Sequence, residues 1–119
     1  MRKENSTNAI NEEYLMNICD FHYVLQLIGG RWKAQILFAI AQGYNRFSLL
    51  KKEMPNISDQ VLGRQLKSLE KDDLIYKKPI HNSIPPGVEY IFTDKANSLI
   101  HPLRELCHWA EDFRLKDNL

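Results

Sequence analysis

The chain has 119 residues, of which 44% are hydrophobic and 26% charged, with a net charge of +1 and two cysteines. That length suits one domain with a real core, and the near-neutral balance by itself singles out no class of partner. Two cysteines are too few for a disulfide framework, no apolar run approaches the ~18 residues that span a bilayer, and the acidic, polar stretch Met1–Asn17 reads as neither signal nor transit peptide, so a cytoplasmic location is the default expectation.

Residues 1–10 are polar and aperiodic and read as a disordered tail ahead of a single domain over 11–119. Residues 11–18 fit a short helix. Asp20 is placed to cap a helix through Ile28, stopped by Gly29 and Gly30. A second helix runs over 31–42, with Trp32, Ile36, Ala39 and Ile40 at helical spacing and Gly43 as its terminating residue. Phe47 to Met54 is a third, short helix that ends before Pro55, and Ser58 caps a fourth through Lys71. The pattern then changes. Leu74–Lys78 and Val88–Phe92 read as strands around a loop that holds Pro85, Pro86 and Gly87. Thr93 caps a last helix over 93–115, with Asp94 in its first turn, where the dipole favours an anion. The fold class is mainly α with a small β-hairpin. Three core helices followed by a two-stranded wing make a winged helix-turn-helix.

The helix 58–71 carries the chemistry. At ~100° per residue, Leu62, Leu66 and Leu69 lie within about 60° of one another, and Gln60, Arg64, Lys67 and Lys71 lie roughly opposite. A tight turn at residues 55–57 joins this helix to the one before it, as a helix-turn-helix requires. A helix of this kind fits a DNA major groove. Arg64 suits a bidentate contact to guanine and Gln60 one to adenine. Gly63 keeps the flank small, Ser58 and the free N–H groups at the helix start suit a phosphate, and Lys67 and Lys71 lie farther along, toward the backbone. An amphipathic helix with a merely solvated basic face has the same pattern. Two observations weigh against that. Residues 46–78 hold eight basic against five acidic residues, a net +3, and Lys77 and Lys78 put a basic hairpin next to the basic helix.

Catalysis and metal binding find no support. There is no glycine-rich phosphate loop, no H-E-x-x-H and no nucleophile–base pair. Cys19, His22, Cys107 and His108 lack the paired spacing of a zinc site, so neither metal nor cofactor is expected. Trp32, Phe38, Trp109 and Phe113 are candidates for lining a small-effector pocket, although aromatics at helical spacing are more often core.

Taken together, LIGGRW (27–32), RF (46–47), IS..VL.R.L..LE (57–70), LI.K (74–77), PP.VEY (85–90) and the run from Thr93 to Trp109 resemble the HxlR-type winged helix-turn-helix transcriptional regulators, within the MarR-like winged helices. The resemblance covers residues 19–113. It implies a homodimeric regulator paired through its terminal helices, with 58–71 as recognition helix and 78–88 as a wing that includes His81 and Asn82. It also implies that Arg46 sits near the DNA backbone, that Phe47 lies in the core, and that Cys19 stands where some members carry a redox-sensing cysteine. Four positions depart from the family pattern: Asp20 replaces a proline, Asp73 a glycine, Gly87 an arginine and Ala96 a glycine. Aspartate tolerates the left-handed conformation better than most residues, so the turn at Asp73 should survive.

Along the last helix Ala96, Leu99, Leu103, Leu106, Ala110 and Phe113 follow a 3,4 spacing, an apolar stripe suited to a second copy of the chain. Pro102 should bend that helix. The expectation is therefore a sequence-specific DNA-binding regulator, a homodimer reading an inverted repeat, with Leu99, Leu103, Leu106, Ala110 and Phe113 at the dimer interface. The rival is a winged-helix module that binds protein rather than DNA.

Overall fold

The computed structural model describes residues 20–82, 84 and 87–117. Cys19, the expected helix over 11–18 and part of the wing tip lie outside those residues. Five helices and one hairpin follow in order: α1 (Phe21–Ile28), α2 (Lys33–Ala41), α3 (Phe47–Glu53), α4 (Asp59–Lys71), β1 (Ile75–Ile80), β2 (Gly87–Phe92) and α5 (Asp94–Asp117). The chain divides into two compact units, residues 1–34 and 35–119.

In the first unit, α1 ends at Gly29, whose N–H donates to the Leu25 carbonyl at 2.7 Å. A Cβ at Gly29 would run into that same oxygen, so no other residue closes the helix there. Asp20 stands at the N-cap but makes no side-chain capping bond. The Arg31 guanidinium lies 4.6 Å from the centre of the Trp32 ring.

The second unit holds the helix-turn-helix and the wing. Ile36, Leu37, Ala39 and Ile40 of α2 are buried, as are Leu50 of α3, Met54 and Ile57 of the turn, and Leu62, Leu66 and Leu69 of α4. Leu74, Ile75 and Tyr90 bring the root of the hairpin into the same core, and Ala96, Ile100 and Leu103 bring in the first half of α5. Two helix ends are closed in the same way. At α2, Tyr44 N–H reaches the Ala39 carbonyl and Gly43 N–H the Ile40 carbonyl, with Gly43 at φ +103°. At α4, Leu74 N–H reaches the Leu69 carbonyl and Asp73 N–H the Glu70 carbonyl, with Asp73 at φ +60°. The left-handed turn expected of Asp73 is therefore present.

This turn moves the strand boundary. Leu74 closes α4 and does not open β1, so the strand starts at Ile75. It runs on through Pro79 to Ile80, past the expected end at Lys78. A two-stranded sheet has two edges, and proline is tolerated where its missing N–H would face outward. β1 and β2 pair antiparallel, with Lys77 opposite Tyr90 and Lys78 opposite Glu89. Thr93 ties the end of α4 to the start of α5. Its hydroxyl lies 2.7 Å from the Asp73 carbonyl as donor and accepts from Ala96 N–H at 3.2 Å. Helix α5 continues unbroken through Pro102. Among the described residues no helix is long and apolar enough to cross a membrane.

Candidate nucleic-acid interface

Helix α4 starts where the sequence places it. Ser58 is extended at φ −74°, ψ 158°, and its hydroxyl accepts from Val61 N–H at 3.2 Å. The turn ahead of it is braced by Lys51, which donates to the Ile57 carbonyl and pairs with Asp59 at 3.3 Å. Lys51 is therefore engaged in holding the turn, although the sequence counts it with the basic set.

The two faces of α4 separate as the periodicity predicts. Leu62, Leu66 and Leu69 are buried, while Ser58, Gln60, Arg64, Lys67 and Lys71 are exposed. No hydrogen bond or ion pair engages the side chains of Gln60, Arg64 and Lys67 within the described residues. Gly63 flanks this face, and a Cβ built there would meet no atom within 4 Å. Glycine inside a helix costs about 0.5–1 kcal/mol relative to alanine, and the packing of this domain does not call for one here.

The wing stands beside this face. Lys77, Lys78, His81 and Asn82 are exposed on β1 and the turn after it. Two acidic residues that the sequence reading left aside organise the wing root. Glu70, in the last turn of α4, lies 3.8 Å from Lys77 Nζ. Glu89 accepts from Asn45 Nδ2 at 3.2 Å and lies 3.9 Å from Arg46 Nη2. Asn45 also accepts from Tyr90 N–H at 2.8 Å through its carbonyl, which fixes the loop before α3 to β2. Burial, and then the charge of Glu70, push the Tyr90 phenol above its usual pKa. The strand register supplies these partnerships, and spacing along the sequence gives no signal for them.

Arg46 borders an open cleft of about 360 Å³ with Phe47, Ser48, Ile80, Gly87 and Val88. Phe47 is thus half-buried on the cleft wall and not in the core, because α3 lends Leu50 to the core and turns Phe47 toward the hairpin.

The apolar stripe of α5 divides in two. Leu103 is only 5% exposed and Leu99 is half-buried, so their own domain already covers them. Leu106, Ala110 and Phe113 are exposed, as is Trp109 at 63%. The Trp109 and Phe113 rings stack on each other with centres 5.0 Å apart, so these aromatics lie on the surface and not in the core of the chain. Cys107 is an exposed free thiol on the same segment.

The profile of the HxlR-like helix-turn-helix family matches residues 27–118. An HTH-type transcriptional regulator of Halalkalibacterium halodurans is 44% identical over 91 residues, 76% of this chain and 80% of the relative. Among solved structures, YtcD, an HTH-type transcriptional regulator of Bacillus subtilis, superposes with a TM-score of 0.70 at 36% identity, over 81% of this chain and 97% of that one. The redox regulator HypR in its reduced form superposes with a TM-score of 0.74 at 29% identity, over 81% of this chain and 94% of that one.

Proposed function

The chain belongs to the HxlR-like helix-turn-helix family and is a transcriptional regulator with a helix-turn-helix domain, and from that premise we propose that it binds operator DNA as a homodimer reading an inverted repeat. One observation carries the reading: α4 buries its leucines and leaves Gln60, Arg64 and Lys67 exposed, without partners among the described residues, beside a lysine-bearing hairpin. Gln60 and Arg64 contact bases in the major groove. Ser58, Lys67, Lys71 and Arg46 hold phosphates, and Lys77, Lys78, His81 and Asn82 grip the backbone next to them. Two copies related by a two-fold axis would meet half-sites whose centres lie about 10–10.5 base pairs apart. The exposed apolar end of α5, from Leu106 to Phe113, is the face that pairs them.

HypR is a redox regulator, and Cys19, two positions ahead of Phe21 in the sequence, is the residue through which this chain would respond to oxidants. A gel shift with and without peroxide tests the idea, and an identical response of wild type and Cys19→Ser removes it.

The DNA reading itself is tested by selecting bound duplexes from a random pool and measuring affinity over a salt series. A palindromic consensus and a steep loss of affinity with salt are expected. No selected sequence and no salt-dependent duplex binding would leave a protein-docking role for the basic face.

A further inference from the structure

The root of the wing is gripped on both faces, and each grip engages a cation that the DNA-facing surface also offers. Cross-strand partners share a face of a sheet, so Lys77 and Tyr90 share one and Lys78 and Glu89 the other. On the first face, Glu70 has one carboxylate oxygen shielded from solvent with no hydrogen bond, and the Lys77 ammonium lies 3.8 Å from it. On the second, Glu89 is anchored by Asn45 at 3.2 Å and lies 3.9 Å from Arg46. A shielded oxygen without a hydrogen bond lowers stability, and a carboxylate beside a phosphate-facing surface repels the ligand. Fold stability gives a poor reason for the shielded oxygen of Glu70, and raw DNA affinity gives a poor reason for either acid.

On the footing of the DNA-binding reading above, we propose that Glu70 and Glu89 are positioning residues that set sequence selectivity. They hold Lys77 and Arg46 in internal pairs on opposite faces of the hairpin root. The wing is thereby fixed relative to α4, and two cations are withheld in part from sequence-independent phosphate binding. Binding to arbitrary DNA scales with the number of phosphates neutralised. Operator binding adds the base contacts of Arg64 and Gln60, which need helix and wing in one fixed register. The two carboxylates therefore weaken background binding more than operator binding. Lys78 makes no ion pair among the described residues, so the two neighbouring lysines should behave differently.

The test measures wild type, Glu70→Gln, Glu89→Gln and the double variant by fluorescence anisotropy, on the selected operator and on a scrambled duplex, over a salt series. Each substitution should raise affinity for the scrambled duplex about threefold or more and steepen the log–log salt slope by up to about 0.9. In the double variant the operator-to-scrambled ratio should fall about fivefold or more. Adding Lys77→Ala to Glu70→Gln should cancel that variant's gain. Lys77→Ala alone, which leaves both carboxylates in place, should flatten the slope by less than half of what Lys78→Ala does. A ratio unchanged in the double variant, a gain that survives Lys77→Ala, or equal effects of the two lysine substitutions overturns the inference while leaving DNA binding intact. A wild-type chain that binds neither duplex overturns the DNA-binding reading, and this inference with it.

Discussion

Gly63→Ala should make the protein more stable and a worse operator binder. The substitution adds one methyl group in the interior of α4, where nothing lies within 4 Å of the new Cβ, and the residue is not in the left-handed region. The fold thus meets no clash. The gain is the glycine-to-alanine difference in a helix interior, about 0.5–1 kcal/mol, which for a chain of this size is a rise in Tm of roughly 2–5 °C. At the proposed interface the same methyl stands on the flank of the Gln60–Arg64–Lys67 face, where a helix lying in the major groove is in close contact. Overfilling a well-packed contact costs about 1–3 kcal/mol, so operator affinity should fall by roughly 5-fold to 150-fold per occupied half-site. Thermal denaturation and anisotropy on one preparation give both numbers. A variant stabilised as expected that binds the operator with wild-type affinity would refute the placement of this flank against DNA. A destabilised variant would refute the reading of open space around Gly63.

Arg64→Ala should leave Tm within about 2 °C, since the side chain is exposed and unpaired among the described residues, yet lower operator affinity by about 1–3 kcal/mol per half-site with little change on scrambled duplex; equal loss on both duplexes would make Arg64 a phosphate contact. Asp73→Gly should stabilise the fold by up to about 1 kcal/mol in urea denaturation, because Asp73 sits at φ +60°, where glycine has no steric penalty; a destabilised variant would show that the aspartate contributes more than its strain costs. The Tyr90 phenol has a folded-state pKa above its usual 10.0, so its contribution to stability is complete below pH 10 and is lost as pH rises through the folded value. Tyr90→Phe should flatten that alkaline decline, and denaturation midpoints at pH 8 and above pH 10 compare the two. Leu106→Glu with Trp109→Glu should give a folded monomer that binds the operator weakly, read by sedimentation and anisotropy, whereas a variant still dimeric at micromolar concentration would place the interface elsewhere.

Features local to one element were legible in the sequence. Helical period alone separates Leu62, Leu66 and Leu69 from Gln60, Arg64 and Lys67, because about 100° per residue leaves no other assignment of faces. The caps at Ser58 and Thr93 and the turn at Asp73 follow from the side chains themselves. The reading fails where a second element decides. The stripe from Ala96 to Phe113 looks continuous, since period identifies a face but not what covers it. Helix α5 has 24 residues and is about 36 Å long, and its own domain covers only the first part, so every residue from 104 to 114 is exposed. The helix 31–42 loses Trp32 for a similar reason: the chain enters α2 at Lys33, and the indole packs under Arg31 instead. Glu70 and Glu89 were out of reach because their partners are set by strand register and by the loop at Asn45.

Three local features are poorly explained by the stability of this chain on its own. Gly63 weakens α4 without any packing demand for a small residue. Glu70 holds a shielded oxygen that accepts no hydrogen bond among the described residues. Trp109 and Phe113 stack on each other in solvent. Such departures are expected where a partner takes over. Their positions fit two different partners. The first two lie along α4 and the wing, the surface that carries Arg64, Gln60 and Lys67, unpaired among the described residues, which suits a polyanion read at close range. The third lies on the far half of α5 and is apolar and aromatic, which suits a protein surface of like character and so a second copy of the same helix. On the proposed reading one α4 meets a single half-site, and a regulator that must find one operator among many competing sites gains selectivity by coupling two. The exposed end of α5 is thus the feature that would turn a modest DNA-binding module into a selective one.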